Sequence, residues 1–172
     1  MSLKSLKSKI KSDLKCHGAT CFLTVLRIYF FDTRFRLLLN YRLGRFLIEK
    51  QVKILPEFYK RKQIIKRGCH ISFFAQIGHE IKFMHPLGIV IGDDVCIGDN
   101  VQIWQQVTLG SHGKIGSERK YPKIGNNVKI YAGAKIIGDV IIGDNATIGA
   151  NAVVLKNVPP NRIAVGIPAK II

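Results

Sequence analysis

Apolar residues recur at every sixth position between residues 71 and 154 of this chain. The step of six holds within three runs: Ile71, Ile77 and Phe83; Ile91, Ile97, Ile103 and Leu109; and Ile124, Ile130, Ile136, Ile142, Ile148 and Val154. Two breaks interrupt the pattern: two extra residues before Ile91, and a fifteen-residue step from Leu109 to Ile124. A period of six does not follow the helical repeat of about 3.6 residues, so amphipathic helices are excluded here.

A second column of small residues supports the same frame. Val or Ala stands four positions after the apolar anchor in ten of the thirteen hexads: Ala75, Val95, Val101, Val107, Val128, Ala134, Val140, Ala146, Ala152 and Val158. This pattern predicts a triangular solenoid in which each hexad supplies one short strand and one corner, and three hexads close a coil. We expect the corner residues, such as Gly92-Asp93, Asn126-Asn127 and Asp144-Asn145, to accept the positive φ of the turn.

Residues 1–68 differ from the repeat in both pattern and charge. Apolar residues at three- and four-residue steps predict an amphipathic helix near the start, with the stripe Leu3, Leu6, Ile10 and Leu14. A second helix is expected after Asp32, a candidate N-cap, and a third, shorter one from near Pro56 to Gly68. The segment holds 17 Lys and Arg residues against 4 Asp and Glu, so it carries +13 of the chain's net charge of +16. Such a charge favours anionic partners.

The composition excludes several classes of protein. A hydrophobic fraction of 47% with 22% charged residues excludes a disordered chain. No apolar run reaches the roughly 18 residues that a spanning helix needs, since Arg27 interrupts the best candidate, and no secretory signal is recognisable. The cysteines, Cys16, Cys21, Cys69 and Cys96, show neither CxxC pairs nor metal-ligand spacing and are expected to be reduced thiols. We therefore expect a cytoplasmic protein.

Three motifs within about residues 65–172 resemble a known family. They are FMHPLGIVIG at 83–92, VTLG at 107–110 and VPPNRIAVGIPAK at 158–170, and they occur in the hexad frame. In this order they resemble the serine acetyltransferase-like hexapeptide acyltransferases. The chain is short for a serine acetyltransferase of cysteine biosynthesis. Its segment NYRLGRF at 40–46 is more similar to the short relatives of capsule and exopolysaccharide gene clusters.

The resemblance implies a fold, a donor and an assembly. The fold would be an all-β left-handed parallel β-helix with an N-terminal α-helical segment. We expect a helical segment at 1–68, an acyltransferase domain at 69–160 with an extruded loop at 110–123, and a C-terminal tail at 161–172. Acetyl-CoA would be the acetyl donor, no metal would be needed, and the chain would form a homotrimer. The basic helices would lengthen the trimer interface or hold the enzyme at the inner face of a membrane, near a lipid-linked glycan.

His85 matches the histidine that this family uses as general base. An alcohol is a poor nucleophile at neutral pH, and histidine, with an ordinary pKa of about 6.5, is largely neutral there and able to take the hydroxyl proton. His70 stands where the resemblance places the aspartate that orients the catalytic histidine, so the orienting partner is open. Gln105, which occupies the slot of His85 one coil later, is a candidate neighbour.

The acceptor side also departs from the family pattern. Met84 replaces an acid that in serine acetyltransferases helps to hold the amino group of serine, and Lys120-Tyr121, with Arg119 adjacent, replaces an Arg-His pair that meets the serine carboxylate. A neutral Met84 removes the partner of an ammonium group. We therefore expect a saccharide hydroxyl as acceptor, in surface polysaccharide biosynthesis, with Tyr121 able to stack on a sugar ring. The alternative is L-serine.

The resemblance also assigns the donor site, which is built mostly from backbone. Backbone N–H groups at Gly110 and Ser111 would lie near the thioester, Ala132 and Ala150 would line the pantetheine path, and Lys156 and Lys170 would meet the CoA phosphates. Three other functions stay open. A hexapeptide carbonic anhydrase would need zinc-ligand histidines, for which His79, His85 and His112 lack the paired spacing. A nucleic-acid binder would explain the charge without a recognised motif, and a non-catalytic scaffold would have no use for His85.

Overall fold

A computed structural model describes residues 2–113 and 120–172 of the chain. Four helices come first: α1 (Leu3–Cys16), α2 (Phe22–Phe31), α3 (Thr33–Glu49) and α4 (Leu55–Arg67). Strands of two or three residues follow: β1 (His70–Ile71), β2 (Gln76–Ile77), β3 (Lys82–Phe83), β4 (Val90–Ile91), β5 (Cys96–Ile97), β6 (Gln102–Ile103), β7 (Thr108–Gly110), β8 (Lys123–Ile124), β9 (Lys129–Ile130), β10 (Lys135–Ile137), β11 (Ile141–Ile142), β12 (Thr147–Ile148), β13 (Val153–Val154), β14 (Ile163–Val165) and β15 (Lys170–Ile171).

The strands form three faces of a parallel coil. The first face has the order β1-β4-β7-β10-β13, the second β11-β8-β5-β2, and the third β15-β14-β12-β9-β6-β3. Every pairing between strands is parallel except that of β14 with β15. The chain turns from the first to the second face at what we call the first corner, from the second to the third at the second corner, and from the third face to the next coil at the third corner. The predicted triangular solenoid is confirmed.

The hexad anchors build the core of this coil. All thirteen are at most 5% exposed, and the ten small residues of the second column are buried with them. Each anchor is paired with the anchor of the next coil, as in Ile97 with Ile124 and Ile103 with Ile130. Register is maintained across the two breaks in the period, because Ile91 pairs with Ile71, and Ile124 with Ile97.

Glycines that directly follow an anchor serve a different purpose from the one expected, whereas Gly88, Gly133 and Gly138 at the corners do adopt positive φ. Asn127 and Asn145 do adopt positive φ, at 57° and 60°, as the sequence predicts. Gly92 does not, and the expectation for that residue was wrong; a Cβ there would lie 2.4 Å from Cε1 of Tyr121. At Gly98 a Cβ would lie 2.8 Å from the carbonyl carbon of Gly125 in the next coil. These glycines are required by close packing rather than by backbone conformation.

The helices begin and end where their local chemistry directs. Asp32 caps α3, its carboxylate accepting from the backbone N–H groups of Arg34 and Phe35 at 2.9 and 3.3 Å. Pro56 lies in the first turn of α4, which Gly68 ends in the left-handed conformation. Helix α2 was not predicted, although it coincides with the apolar run that Arg27 interrupts. Among the described residues no helix is long and apolar enough to cross a bilayer.

A buried ion pair joins the helices to the coil. Arg42 of α3 donates from Nε to Asp13 of α1 at 2.9 Å, and both side chains are 1% exposed. The same guanidinium donates to the carbonyls of Ile77, at 2.7 Å, and Gly78. The Tyr41 hydroxyl donates to the carbonyl of Ala75 at 2.7 Å. Helices α1 and α3 are thus fixed against the second face of the first coil.

Candidate active site

His85 lies at the third corner, within a column of equivalent residues. The third-face strands pair Phe83 with Ile103, Ile103 with Ile130, and Ile130 with Ile148. The residues two positions after these anchors therefore stack in successive coils, with a spacing of about 4.8 Å expected between neighbours. In order along the coil axis they are His85, Gln105, Ala132 and Ala150. Side chains shrink along this column from an imidazole to two methyl groups.

The imidazole of His85 is exposed in the single chain. Among the described residues none makes a hydrogen bond to it, and neither of the two cavities of about 420 Å³ is lined by it. His70 lies on the adjacent first face, where its backbone N–H donates to Ile89 at 2.8 Å, and its half-buried ring makes no described bond to His85. The residue that orients His85 is therefore not supplied by His70 or Gln105 within one chain.

Gln105 carries an unusual polar atom. Its Oε1 is buried and has no hydrogen-bond partner among the described residues. Its carbonyl accepts from the N–H of Gly133 at 2.9 Å, which fixes the residue in the corner. An unpaired buried acceptor is destabilising by about 1–3 kcal/mol unless a ligand or another chain provides a donor. Gln105 is thus a candidate ligand contact one coil from His85.

A second column, immediately before the first, is apolar and aromatic. Met84, Trp104 and Tyr131 each follow a third-face anchor, and the N–H of Met84 donates to Ile103 while that of Trp104 donates to Ile130. The rings of Trp104 and Tyr131 are 4.5 Å apart between centroids, tilted by 32°. The sequence analysis singled out only Met84. Trp104 and Tyr131 could have been found from the hexad repeat, because they occupy the same position after an anchor as Met84.

The remaining candidates lie at the first corner, one face away. Gly110 and Ser111 follow β7 there, and Lys156 follows β13 with an exposed side chain. Tyr121 packs its ring over Gly92, and Lys120 lies 3.3 Å from Asp139 in an exposed ion pair. Arg119 lies outside the described residues, as do residues 114–118 of the expected loop. Lys170 is exposed on β15, at the end of the third face.

One chain therefore does not bring its candidate residues together. His85, Gln105 and the two alanines of the column lie at the third corner, whereas Lys120, Tyr121 and the candidate oxyanion donors at Gly110 and Ser111 lie at the first. The two corners flank the first face. The three histidines considered for a zinc site are also dispersed over three corners, with His79 bound to Asp99 at the second. No group of three potential metal ligands occurs among the residues that the structure describes.

Comparisons with known proteins agree with this architecture. The family model described as bacterial transferase hexapeptide (six repeats) matches residues 121–156. No curated protein sequence matches the chain. Among solved structures, soybean serine acetyltransferase complexed with serine is 35% identical, with a TM-score of 0.85, and the match covers 98% of this chain and 70% of that one.

Two further structures give the same result. The serine acetyltransferase of Neisseria gonorrhoeae is 33% identical with a TM-score of 0.86, over 99% of this chain and 67% of that chain. A serine acetyltransferase in complex with CoA is 32% identical with a TM-score of 0.86, over 99% and 71% of the two chains. The similarity extends through the helices as well as the coil, and it identifies the coil as a left-handed β-helix with an N-terminal helical segment.

Proposed function

This chain belongs to the serine acetyltransferase family of hexapeptide-repeat transferases, and from that premise we propose that it transfers an acetyl group from acetyl-CoA to the hydroxyl of L-serine. The similarity to a serine-bound and a CoA-bound relative over nearly the whole chain supports both substrates. The observation that carries the acetyl-transfer proposal is the third-corner column. It combines a solvent-accessible imidazole, a buried acceptor that has no partner among the described residues, and the small side chains of Ala132 and Ala150. The domain division given above, with 1–68, 69–160 and 161–172, is part of this proposal.

His85 acts as the general base of a direct transfer. Its imidazole takes the proton of the acceptor hydroxyl as the oxygen attacks the thioester carbonyl carbon. Backbone N–H groups near Gly110 and Ser111 stabilise the oxyanion of the tetrahedral intermediate. The carbon–sulfur bond then breaks, the acetyl group stays on the acceptor oxygen, and the imidazolium returns its proton to the CoA sulfur. This direct transfer needs no acyl-enzyme, and we propose none; Cys69, the cysteine beside Ile89 at the third corner, is buried.

We also propose that the working enzyme is a homotrimer with each site shared between two chains. The separation of His85 from Gly110 and Lys120 by one face of the coil supports this assembly. If the first faces pack around a threefold axis, the third corner of one chain meets the first corner of its neighbour, because cyclic symmetry repeats one heterologous contact. Ala132, Ala150 and Lys170 of one chain and Lys156 of the next would then flank the CoA.

One observation favours a second acceptor, an uncharged saccharide hydroxyl. The column beside His85 is Met84, Trp104 and Tyr131, which carries no charge to pair with an ammonium or carboxylate group. An amino-acid zwitterion needs both charges met when water is excluded. Aromatic rings beside a catalytic base provide a flat apolar surface on which a sugar ring can stack. A saccharide of a surface polysaccharide is therefore the second candidate, with Tyr121 of the facing chain completing the pocket.

The deciding experiment measures release of the CoA thiol with one acceptor at a time. Wild type and His85→Ala are assayed with L-serine, and in parallel with a panel of neutral monosaccharides and nucleotide sugars. L-Serine-dependent release that His85→Ala abolishes is the result expected for the first proposal. Saccharide-dependent release without serine turnover would replace it with the second. Acceptor-dependent release that is equal in both proteins would exclude His85 as the base.

A further inference from the structure

A groove of about 180 Å³ lies among α2, α3 and α4, away from the candidate active site. Its apolar part is lined by Phe30 of α2 and by Leu39 and Leu43 of α3. Its charged part is lined by Arg36 of α3 and by Lys62 and Arg67 of α4. The groove therefore combines an apolar surface with three cationic side chains, as expected of a binding site for an amphiphilic anion.

The two arginines are held in place without a counter-charge. Arg36 donates from Nη1 to the carbonyl of Phe30 at 3.0 Å, and Arg67 donates to that of Thr33 at 3.2 Å. Burial lowers the pKa of the Arg67 guanidinium, and the positive charge of nearby Arg36 lowers it further. Among the described residues, no carboxylate forms an ion pair with either arginine or with Lys62.

The acids of the helical segment are mostly engaged elsewhere. Asp13 pairs with Arg42, Asp32 with Arg34, and Glu49 with Arg45. Glu57, the remaining acid of residues 1–68, lines a different cavity together with His70 and Asp93. No described carboxylate thus neutralises the positive charge of the groove. Arg36 and Arg67 can therefore still make strong, charge-assisted hydrogen bonds to a bound anion.

Asn40 supplies a second, independent indication of a ligand. Its side chain lines the same groove, is 6% exposed, and has an Oδ1 atom without a hydrogen-bond partner among the described residues. A buried acceptor requires a donor, so the ligand should carry a hydroxyl or ammonium group as well as a negative charge. The groove volume equals about six water molecules of liquid, enough for a phosphate headgroup but not for a fatty acyl chain.

The exposed apolar side chains of α2 and α4 are suited to contact fatty acyl chains. Phe22, Leu23 and Phe31 of α2 are 74%, 74% and 80% exposed, and Phe58 and Ile65 of α4 are 64% and 66% exposed. Helices α2 and α4, which both line the cationic groove, therefore also expose large apolar side chains. This is the composition of interfacial helices, which bury such side chains at the boundary between headgroups and acyl chains.

The charge of the segment distinguishes among partners. A second copy packed here would place another segment of net charge +13 against the first, so like charges would face each other without acids to separate them. A nucleic acid would meet the cations but leave the exposed aliphatic and aromatic groups in water. We propose that this groove binds the phosphate headgroup of an anionic phospholipid while exposed side chains of α2 and α4 enter the bilayer surface. This inference does not depend on the proposed function.

The test is sedimentation of the full chain with lipid vesicles. Vesicles of phosphatidylcholine alone are compared with vesicles that contain about 30% phosphatidylglycerol, whose headgroup offers both a phosphate and hydroxyl donors. We expect binding to the second kind only. Arg36→Gln/Arg67→Gln should weaken that binding about tenfold or more. The matched control is Lys123→Gln/Arg162→Gln, which removes two exposed charges from the coil and should change binding little.

A second variant keeps the test decisive if the arginine pair destabilises the fold. Phe22→Ser/Phe31→Ser alters only highly exposed side chains, and we expect it to abolish the binding that survives high salt, where headgroup attraction is screened. Equal losses in the groove pair and the coil pair would overturn the proposal in favour of unspecific attraction. Complete displacement by soluble glycerophosphate would show a site for a free anion. If the protein doubles its molecular mass without lipid, and Phe22→Ser/Phe31→Ser prevents this, a second copy of the chain is the occupant and the lipid proposal is wrong.

Discussion

Gln105 occupies, one coil further along the helix, the position that His85 occupies in its own coil, and its buried Oε1 has no partner among the described residues. A polar atom so placed is destabilising unless a ligand completes its hydrogen bond. The neighbouring Ala132 and Ala150 leave room along the same corner for an extended chain. Pantetheine carries amide N–H groups, and one of these is the donor we expect at Gln105.

Replacing Gln105 with Leu should therefore weaken the binding of acetyl-CoA without lowering the stability of the fold. We expect the KM for acetyl-CoA to rise about tenfold, the loss of one hydrogen bond in a desolvated site, while the melting temperature stays the same or rises. Steady-state kinetics and thermal unfolding measure the two effects. Gln76→Leu, on the exposed second face, is the control and should alter neither. A lower melting temperature with an unchanged KM would make Gln105 a structural residue.

The shared site can be tested by mixing two inactive variants. His85→Ala removes the base at the third corner, and Lys120→Ala/Tyr121→Ala alters the first corner. If sites form between chains, co-refolded mixed trimers regain up to about a quarter of wild-type activity, because one interface in four combines two intact corners. The separately refolded variants provide the baseline. No recovery in verified mixed trimers, or full activity of the Lys120/Tyr121 variant alone, would contradict a shared site.

Corner glycines should differ in their tolerance of a methyl group. Gly98→Ala places Cβ 2.6 Å from Oδ1 of Asn126 and 2.8 Å from backbone of the next coil, so we expect a loss of about 1–3 kcal/mol in unfolding free energy. At Gly110 the nearest atoms would be 3.9 Å away, and Gly110→Ala should stay within about 0.5 kcal/mol of wild type. Urea unfolding at one protein concentration compares them. Equal losses would refute the packing explanation.

The ion pair between Asp13 and Arg42 should be far more important than those at the surface. Asp13→Asn leaves a guanidinium that is 1% exposed without its counter-charge, and we expect a loss of about 3–5 kcal/mol. Arg34→Ala breaks a pair whose arginine is 44% exposed and should cost less than about 1 kcal/mol. Denaturant unfolding measures both. Asp13→Leu/Arg42→Met should recover part of the loss; if it is no better than Asp13→Asn, the buried-charge explanation is wrong.

The cysteines should react with thiol reagents at very different rates. The backbone N–H of Thr24, and then its hydroxyl, lower the pKa of the exposed Cys21 thiol at the start of α2, whereas burial raises the pKa of Cys69. A lowered pKa leaves more thiolate at a given pH, so Cys21 should label at least about tenfold faster near pH 7. Labelling followed by peptide mapping checks the order. Cys21→Ser should remove the fast phase, and its persistence would assign that phase to another thiol.

Sequence reasoning succeeded wherever one residue determines a local outcome. The anchors and small residues of the hexads were identified one by one, because a period of six brings each of them to the same inward position in every coil. Asp32, Pro56 and Gly68 marked helix ends through their own capping chemistry. Helix α2 was missed because its apolar run lacks polar alternation, and such a run does not distinguish a helix from other buried or lipid-facing structure.

The arrangement of the candidate site required the tertiary structure. The ring of Tyr121 packs over Gly92 of its own chain, and the aromatic pair Trp104–Tyr131 lies in the two coils that follow His85 along the third face. Strands β4 to β7 lie between residues 85 and 121, a separation of one coil turn and one further face that depends on the register kept across the fifteen-residue break. Spacing along the chain carries no such information.

The sequence by itself determined the coil, its core and the identity of His85 as the candidate base. The coil and its core follow from periodicity, since a regular repeat places equivalent side chains in equivalent surroundings, whereas His85 was assigned from the resemblance of its motif to that of a known family. Only the tertiary structure decided which corner each functional residue occupies, which buried atoms are left without partners, and how α2, α3 and α4 enclose a cationic groove. Those features arise where segments distant in sequence meet, and their energies depend on contacts that no single segment contains.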